Sequence, residues 1–203
     1  SDIQLHPCGT PGTGLMENIR TSGRNRIFVN IEGKRFVNEG AARDTLAQGV
    51  LDQPEQTYWI VVNKVRYPER DWVDANGATI ANMVAQGVVI EADTLEELAE
   101  NIRKSNGGED APNFDTAKFI AAIDAYNKRY DAGEDADYGR PFATMVPVKT
   151  GPFYALKIGP TYFNTMGGPR RNAKAQVINV EGYPIEGLFS AGELGSIFCD
   201  MYN

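Results

Sequence analysis

Glu17 and Arg20 stand three positions apart, a spacing that sets both side chains on one face of a helical turn. By spacing alone they make an ion pair, worth about 0–1 kcal/mol on an open surface. Arginine is a very weak acid, so Arg43 can act as one only toward a very basic partner. His6 is the only histidine, and a lone histidine is more often structural than catalytic. The pair Gly167-Gly168 permits a close backbone approach that a side chain would block, though an ordinary turn also uses such a pair. Gly9-Thr10-Pro11-Gly12-Thr13-Gly14 comes nearest to a dinucleotide-binding glycine fingerprint, but its spacing and its proline do not fit. Cys8 and Cys199 are the two cysteines, too few and too far apart to imply a disulfide. With one histidine and no Cys-x-x-Cys, no metal site is expected.

The elements that must hold these residues fall into three parts. Residues 1–45 are glycine-rich and carry a hairpin signal: Arg26–Ile31 alternates, Glu32-Gly33 turns, and Arg35–Asn38 returns. Residues 46–145 read as mostly helical, with Thr57–Val62 as a buried strand. Ala78–Gln86 forms a short helix stopped by Gly87. Thr94 and Glu97 form a capping box ahead of Leu95, Leu98 and Ile102. Asn113 or Asp115 caps a further helix with the core stripe Phe119, Ile120, Ile123, Tyr126 and Tyr130. Gly133–Pro141 reads as a polar loop and a domain boundary. Beyond it, Gln176–Val180, the turn Glu181–Pro184 and Gly187–Glu193 read as strand, turn and strand closing on a glycine-rich corner.

Twenty Lys+Arg against 27 Asp+Glu leave a net charge of −7, which argues against a dedicated nucleic-acid binder. No run approaches the roughly 20 apolar residues of a membrane-spanning helix. The start Ser1-Asp2-Ile3-Gln4 shows no signal peptide, and a removed leader would leave no trace. The chain opens in the strand-like Ile3-Gln4-Leu5 and stops just after Gly195–Phe198, so an excised piece of a longer protein is expected.

Four segments together carry a family likeness: Gln4-Leu5-His6-Pro7; Gly33–Glu39 with Arg43-Asp44; Asn164-Thr165-Met166-Gly167-Gly168; and Pro184–Glu193. In this order and spacing they resemble the C-terminal half of the fumarate reductase/succinate dehydrogenase flavoprotein family. Soluble fumarate reductases, urocanate reductases and ketosteroid dehydrogenases share that architecture. The resemblance implies an α+β fold: a capping domain of an FAD-dependent reductase with a remnant of the Rossmann-like FAD-binding domain. Residues 1–11 would be an edge of the FAD domain, 12–145 the cap, and 146–203 the returning part of the FAD domain. FAD is implied as the cofactor of the full-length parent, with the pyrophosphate-binding half outside this chain, so residues 1–203 alone would bind it no better than weakly.

The resemblance also assigns roles. Arg43 would protonate substrate, with Glu17 and Arg20 as the relay that resupplies its proton. His6 would help hold a substrate carboxylate. Thr165, Gly167 and Gly168 would pass close to the flavin ring, and Glu193 would accept from the ribityl or ribose hydroxyls. Two positions depart from the fumarate-reducing pattern: Met16 replaces a threonine and Asn164 a histidine. A dicarboxylate would then keep one carboxylate unpaired, at a cost of a few kcal/mol, roughly. A larger or less charged unsaturated acid or enone is the expected substrate. The electron donor is not legible, and a bacterial cytoplasm or periplasm both stay open. A ketosteroid dehydrogenase-like enzyme and a non-catalytic α+β binding module are the alternatives.

Overall fold

The computed structural model describes residues 2–11, 26–65, 79–105 and 114–195. The strands are β1 (Asp2–Gly9), β2 (Ile27–Asn30), β3 (Tyr58–Asn63), β4 (Val89–Ala92), β5 (Phe153–Met166), β6 (Gln176–Ile178) and β7 (Pro184–Phe189). The α-helices are α1 (Arg43–Leu51), α2 (Ile80–Ala85), α3 (Leu95–Ser105) and α4 (Thr116–Ala132). Five strands form one sheet in the order β1-β5-β3-β2, with β4 also on β5, and β6 and β7 form a separate ribbon. Every strand pair among the described residues is antiparallel.

Strand β3 is a continuous apolar run because both faces of the sheet are covered. Alternate residues go to opposite sides. Ile27, Val29, Trp59, Val61 and Ala155 pack with Leu98 and Ile102 of α3 and Phe119, Ile123 and Tyr126 of α4. Phe28, Tyr58, Ile60, Val62, Tyr154 and Leu156 pack with Leu46 and Val50 of α1 and Ile80 and Met83 of α2. The result is a sheet between two helical layers, an α+β arrangement as the sequence led us to expect.

The helix starts follow their side-chain chemistry. Thr79 Oγ1 accepts from Asn82 N at 3.0 Å to begin α2. Thr94 Oγ1 accepts from Glu97 N at 3.1 Å before α3. Glu97 reaches back to Asp93 N at 3.1 Å, one residue earlier than the expected capping box has it. Asp115, not Asn113, caps α4, accepting from Lys118 N at 3.0 Å.

The expected hairpin return over Arg35–Asn38 does not form. Only a single bridge, Val29 with Arg35, survives. Asn30 Oδ1 accepts from Glu32 N and Lys34 N, both at 3.0 Å, and closes the turn on itself. Gly33 sits in that turn at φ +80°, where an added Cβ would lie 2.6 Å from Asp115 O. The turn is thus pressed against the start of α4. Arg35 then leaves the sheet for a buried partner set.

The β6–β7 ribbon matches the expected strand, turn and strand, and Asn179 Oδ1 accepts from Tyr183 N at 2.8 Å across its turn. Its apolar side chains are largely bare, with Val180 98% and Phe189 60% exposed. Among the described residues no helix is long and apolar enough to cross a membrane.

Candidate active site

The pairing of β1 with β5 brings two predicted substrate segments together. His6 faces Thr161, Leu5 faces Tyr162, and Gln4 faces Asn164 across the ladder, with register irregularities after Gln4 and after His6. His6 and Asn164 therefore sit a few rungs apart on neighbouring strands. Helix α1 packs against β1 and β5. Its first residue is Arg43, which is exposed in this chain.

Thr165 pairs with Ile3 near the end of β5, and Gly167 and Gly168 follow at φ 112° and φ 123°. A Cβ on Gly168 would run into the backbone carbonyl of Leu194. That contact seats the glycine pair on the 3-10 turn Gly192–Gly195, which contains Glu193. Two segments expected at a cofactor, 26 positions apart from Gly167 to Glu193, thus meet at one corner. Ser190 is 1% exposed there, and its Oγ has no hydrogen-bond partner among the described residues. Close-packed glycine backbone and an orphaned buried hydroxyl fit a corner that receives a polar cofactor. Met16, Glu17 and Arg20 lie outside the described residues, so the relay and the Met16 position have no geometry here.

Four positions before Arg43, Glu39 belongs to a buried charged cluster that the sequence reading missed. Arg35 donates through Nε and Nη2 to the two carboxylate oxygens of Glu39, each at 2.8 Å. Through Nη1 and Nη2 it also donates to Asp135, at 2.9 and 2.7 Å. Arg140 Nη1 donates to Glu39 Oε2 at 3.1 Å and to Arg26 O at 2.8 Å, while Nη2 donates to Thr144 O at 2.7 Å. Arg35 stacks over Tyr138 at 4.7 Å and Tyr126 at 5.2 Å. The side chains of Glu39, Asp135 and Arg140 are fully buried. Two cations balance two anions, and fork-to-carboxylate pairs satisfy the donors, which is the condition for burying such charges. The Gly133–Pro141 loop is polar as expected, yet Asp135 and Arg140 make it part of the interior.

Burial alone would push the Asp135 carboxyl up. The hydrogen bonds and charge of Arg35 outweigh it and hold the group below the usual carboxylate range. A depressed carboxyl stabilises the fold above its unfolded pKa of about 3.9 and loses that contribution as pH falls through the folded value. The intact Asp135→Asn variant should therefore be less stable at neutral pH but show a flatter loss of melting temperature on acidification. Thermal melts from pH 7 downward check this, and an acid limb as steep as the parent's would count against it.

The β1–β5 strand pair carrying His6, with the Gly167–Gly168 corner at its end, belongs to a mixed helix-and-sheet fold. The chain belongs to the FAD binding domain family, whose match runs over residues 1–203. It is 36% identical over 193 residues to an NADH:acrylate oxidoreductase of Vibrio harveyi, covering 95% of this chain and 18% of that protein. It is 31% identical over 193 residues to an NADH:fumarate oxidoreductase of Klebsiella pneumoniae (strain 342), covering 95% and 19%. Among solved structures, the open conformation of a flavocytochrome c3 fumarate reductase superposes at TM-score 0.66 with 29% identity, covering 95% of this chain and 31% of that one. The chain thus spans about a fifth to a third of the length of these three proteins. FAD is the cofactor of the family.

Proposed function

We propose that the intact protein is an FAD-dependent oxidoreductase that reduces the activated C=C bond of an unsaturated acid or enone. The observation that supports this reading is the β1–β5 ladder, in which His6 and Asn164 lie a few rungs apart, with α1, the helix that Arg43 begins, packed against both strands. Thr165, Gly167, Gly168 and Glu193 would hold FAD, which when bound would supply the hydride. Arg43 gives a proton to the substrate carbon next to the one reduced. Glu17 and Arg20 restore that proton. His6 and Asn164 contact the substrate, and Met16 lines the site where a dicarboxylate's second charge would need a partner.

In this reading residues 12–145 form the cap, and residues 146–203 are the returning part of the FAD domain. Residues 1–11 are an edge of that domain. A dehydrogenase acting in the opposite direction is the second reading, because a 3-oxosteroid 1-dehydrogenase of Mycolicibacterium smegmatis is also similar, at 27% identity over 216 residues.

The test is a panel of unsaturated acids and enones given to the intact protein with a reduced viologen donor. A bulky unsaturated monocarboxylate or enone is expected to turn over faster than fumarate. Fumarate as the best substrate of the panel would overturn the inference from Met16 and Asn164. Steroid oxidation without any reduction of unsaturated acids would favour the second reading.

A further inference from the structure

We propose that Arg140 and Asp135 position Arg43 by holding Glu39, and so act on the proton-donating step from a distant part of the sequence. The inference rests on the reading of Arg43 as proton donor. The start of α1 has no side-chain cap, since Ala42 offers none. What precedes it is a short turn: Gly40 N donates to Asn38 Oδ1 at 2.9 Å and Ala41 N to Asn38 O at 3.0 Å. Glu39 is the anchor within that turn, four residues ahead of Arg43.

Glu39 is held at both ends. Its carboxylate accepts from Arg35 Nε and Nη2, from Arg140 Nη1, and from Phe28 N at 3.2 Å. Its backbone carbonyl accepts from Arg26 Nη2 at 2.9 Å. Arg140 lies 101 positions later in the chain and is itself fastened to Arg26 O and Thr144 O. Asp135 fixes Arg35 from the other side and accepts from Arg140 N at 3.3 Å. Without Arg140 the buried set has one carboxylate too many. Glu39, which sits between Arg35 and Arg140, then shifts its hold on the turn that delivers Arg43.

The experiment uses the intact, flavin-loaded protein with the variants Arg140→Met, Arg140→Lys and Asp135→Asn. Ile123→Val serves as a core control at a residue that makes none of the cluster's hydrogen bonds, and Arg43→Ala tests the reading beneath. Misplacing a catalytic group by about 1 Å can cost on the order of 100-fold. Arg140→Met is expected to lose about that much kcat per bound flavin, with KM and reduction of the flavin by viologen near the parent's. Arg140→Lys should recover part of the loss. Amide exchange at Gly40–Arg43 should speed up in Arg140→Met and not in Ile123→Val.

If Arg140→Met does not fold, Asp135→Asn carries the same two readouts. Parent-like kcat per flavin and parent-like exchange in either variant, with Arg43→Ala slow, would overturn the positioning role and leave the reading intact. An equal kcat loss in Ile123→Val would also overturn it, as an effect of stability alone. Parent-like turnover in Arg43→Ala would instead remove the reading, and the proposal with it.

Discussion

Arg43→Ala in the intact, flavin-loaded protein is expected to lower turnover about 100- to 10,000-fold, the range for removing a positioned acid. Hydride delivery to one carbon leaves negative charge on its neighbour, and a nearby acid must quench it within the same transition state. Flavin content should not change, because the segments assigned to FAD lie on β5 and the Gly192–Gly195 turn rather than on α1. Arg43→Lys should recover part of the rate, since an ammonium donates a proton but lacks the planar fork that sets geometry. Glu17→Gln should cost less, because it slows resupply and not transfer. The measurement is turnover normalised to bound FAD. A near-parent rate for Arg43→Ala would end the proton-donor assignment.

Arg35→Met is expected to be the most damaging single change to stability, by about 3–5 kcal/mol. Arg35 is 8% exposed and is the common partner of two buried carboxylates, so its loss leaves Asp135 without its cation and Arg140 alone to balance two buried anions. Burial works against its charge, yet those two carboxylates raise its pKa further above the usual arginine value. Methionine fills the volume but supplies none of the four donated bonds. Denaturant unfolding of the intact protein checks the size of the effect. A loss below about 1 kcal/mol, the size expected of an exposed pair, would contradict the burial argument.

The elements set by local chemistry were legible in the sequence. Thr94, Asp115 and Gly133 mark helix ends because caps and left-handed terminators act within four residues. The stripe from Phe119 to Tyr126 and the run at Tyr58–Val62 show their burial in their periodicity. The grouping of His6 with Asn164 was carried by family likeness, since nothing local to either residue signals a rung 158 positions away. The return strand at Arg35–Asn38 failed for the same reason. Its alternation is real, but Arg35 is drawn away by Asp135, a partner 100 positions on. Asp135 and Arg140 looked like solvated loop residues because a charge that is buried and paired at long range has the same letter as one in water.

Strand β5 is 14 residues long, and its two ends do different jobs. Phe153 to Leu156 lie between β3 and β4 in the core, while Thr161 to Met166 pair with β1 at the site. The strand therefore works as a ruler with the core as its fixed end. Inserting one residue between Ile158 and Thr161 would turn every later side chain to the opposite face. It would also move Gly168 off its seat on Leu194. Descendants of this fold can then vary their chemistry at β5 by replacing residues, whereas an added or deleted residue needs a compensating bulge of the kind the β1–β5 ladder already carries. Changes of length are left to places such as the open Asn179–Tyr183 turn, where an extra residue displaces nothing downstream.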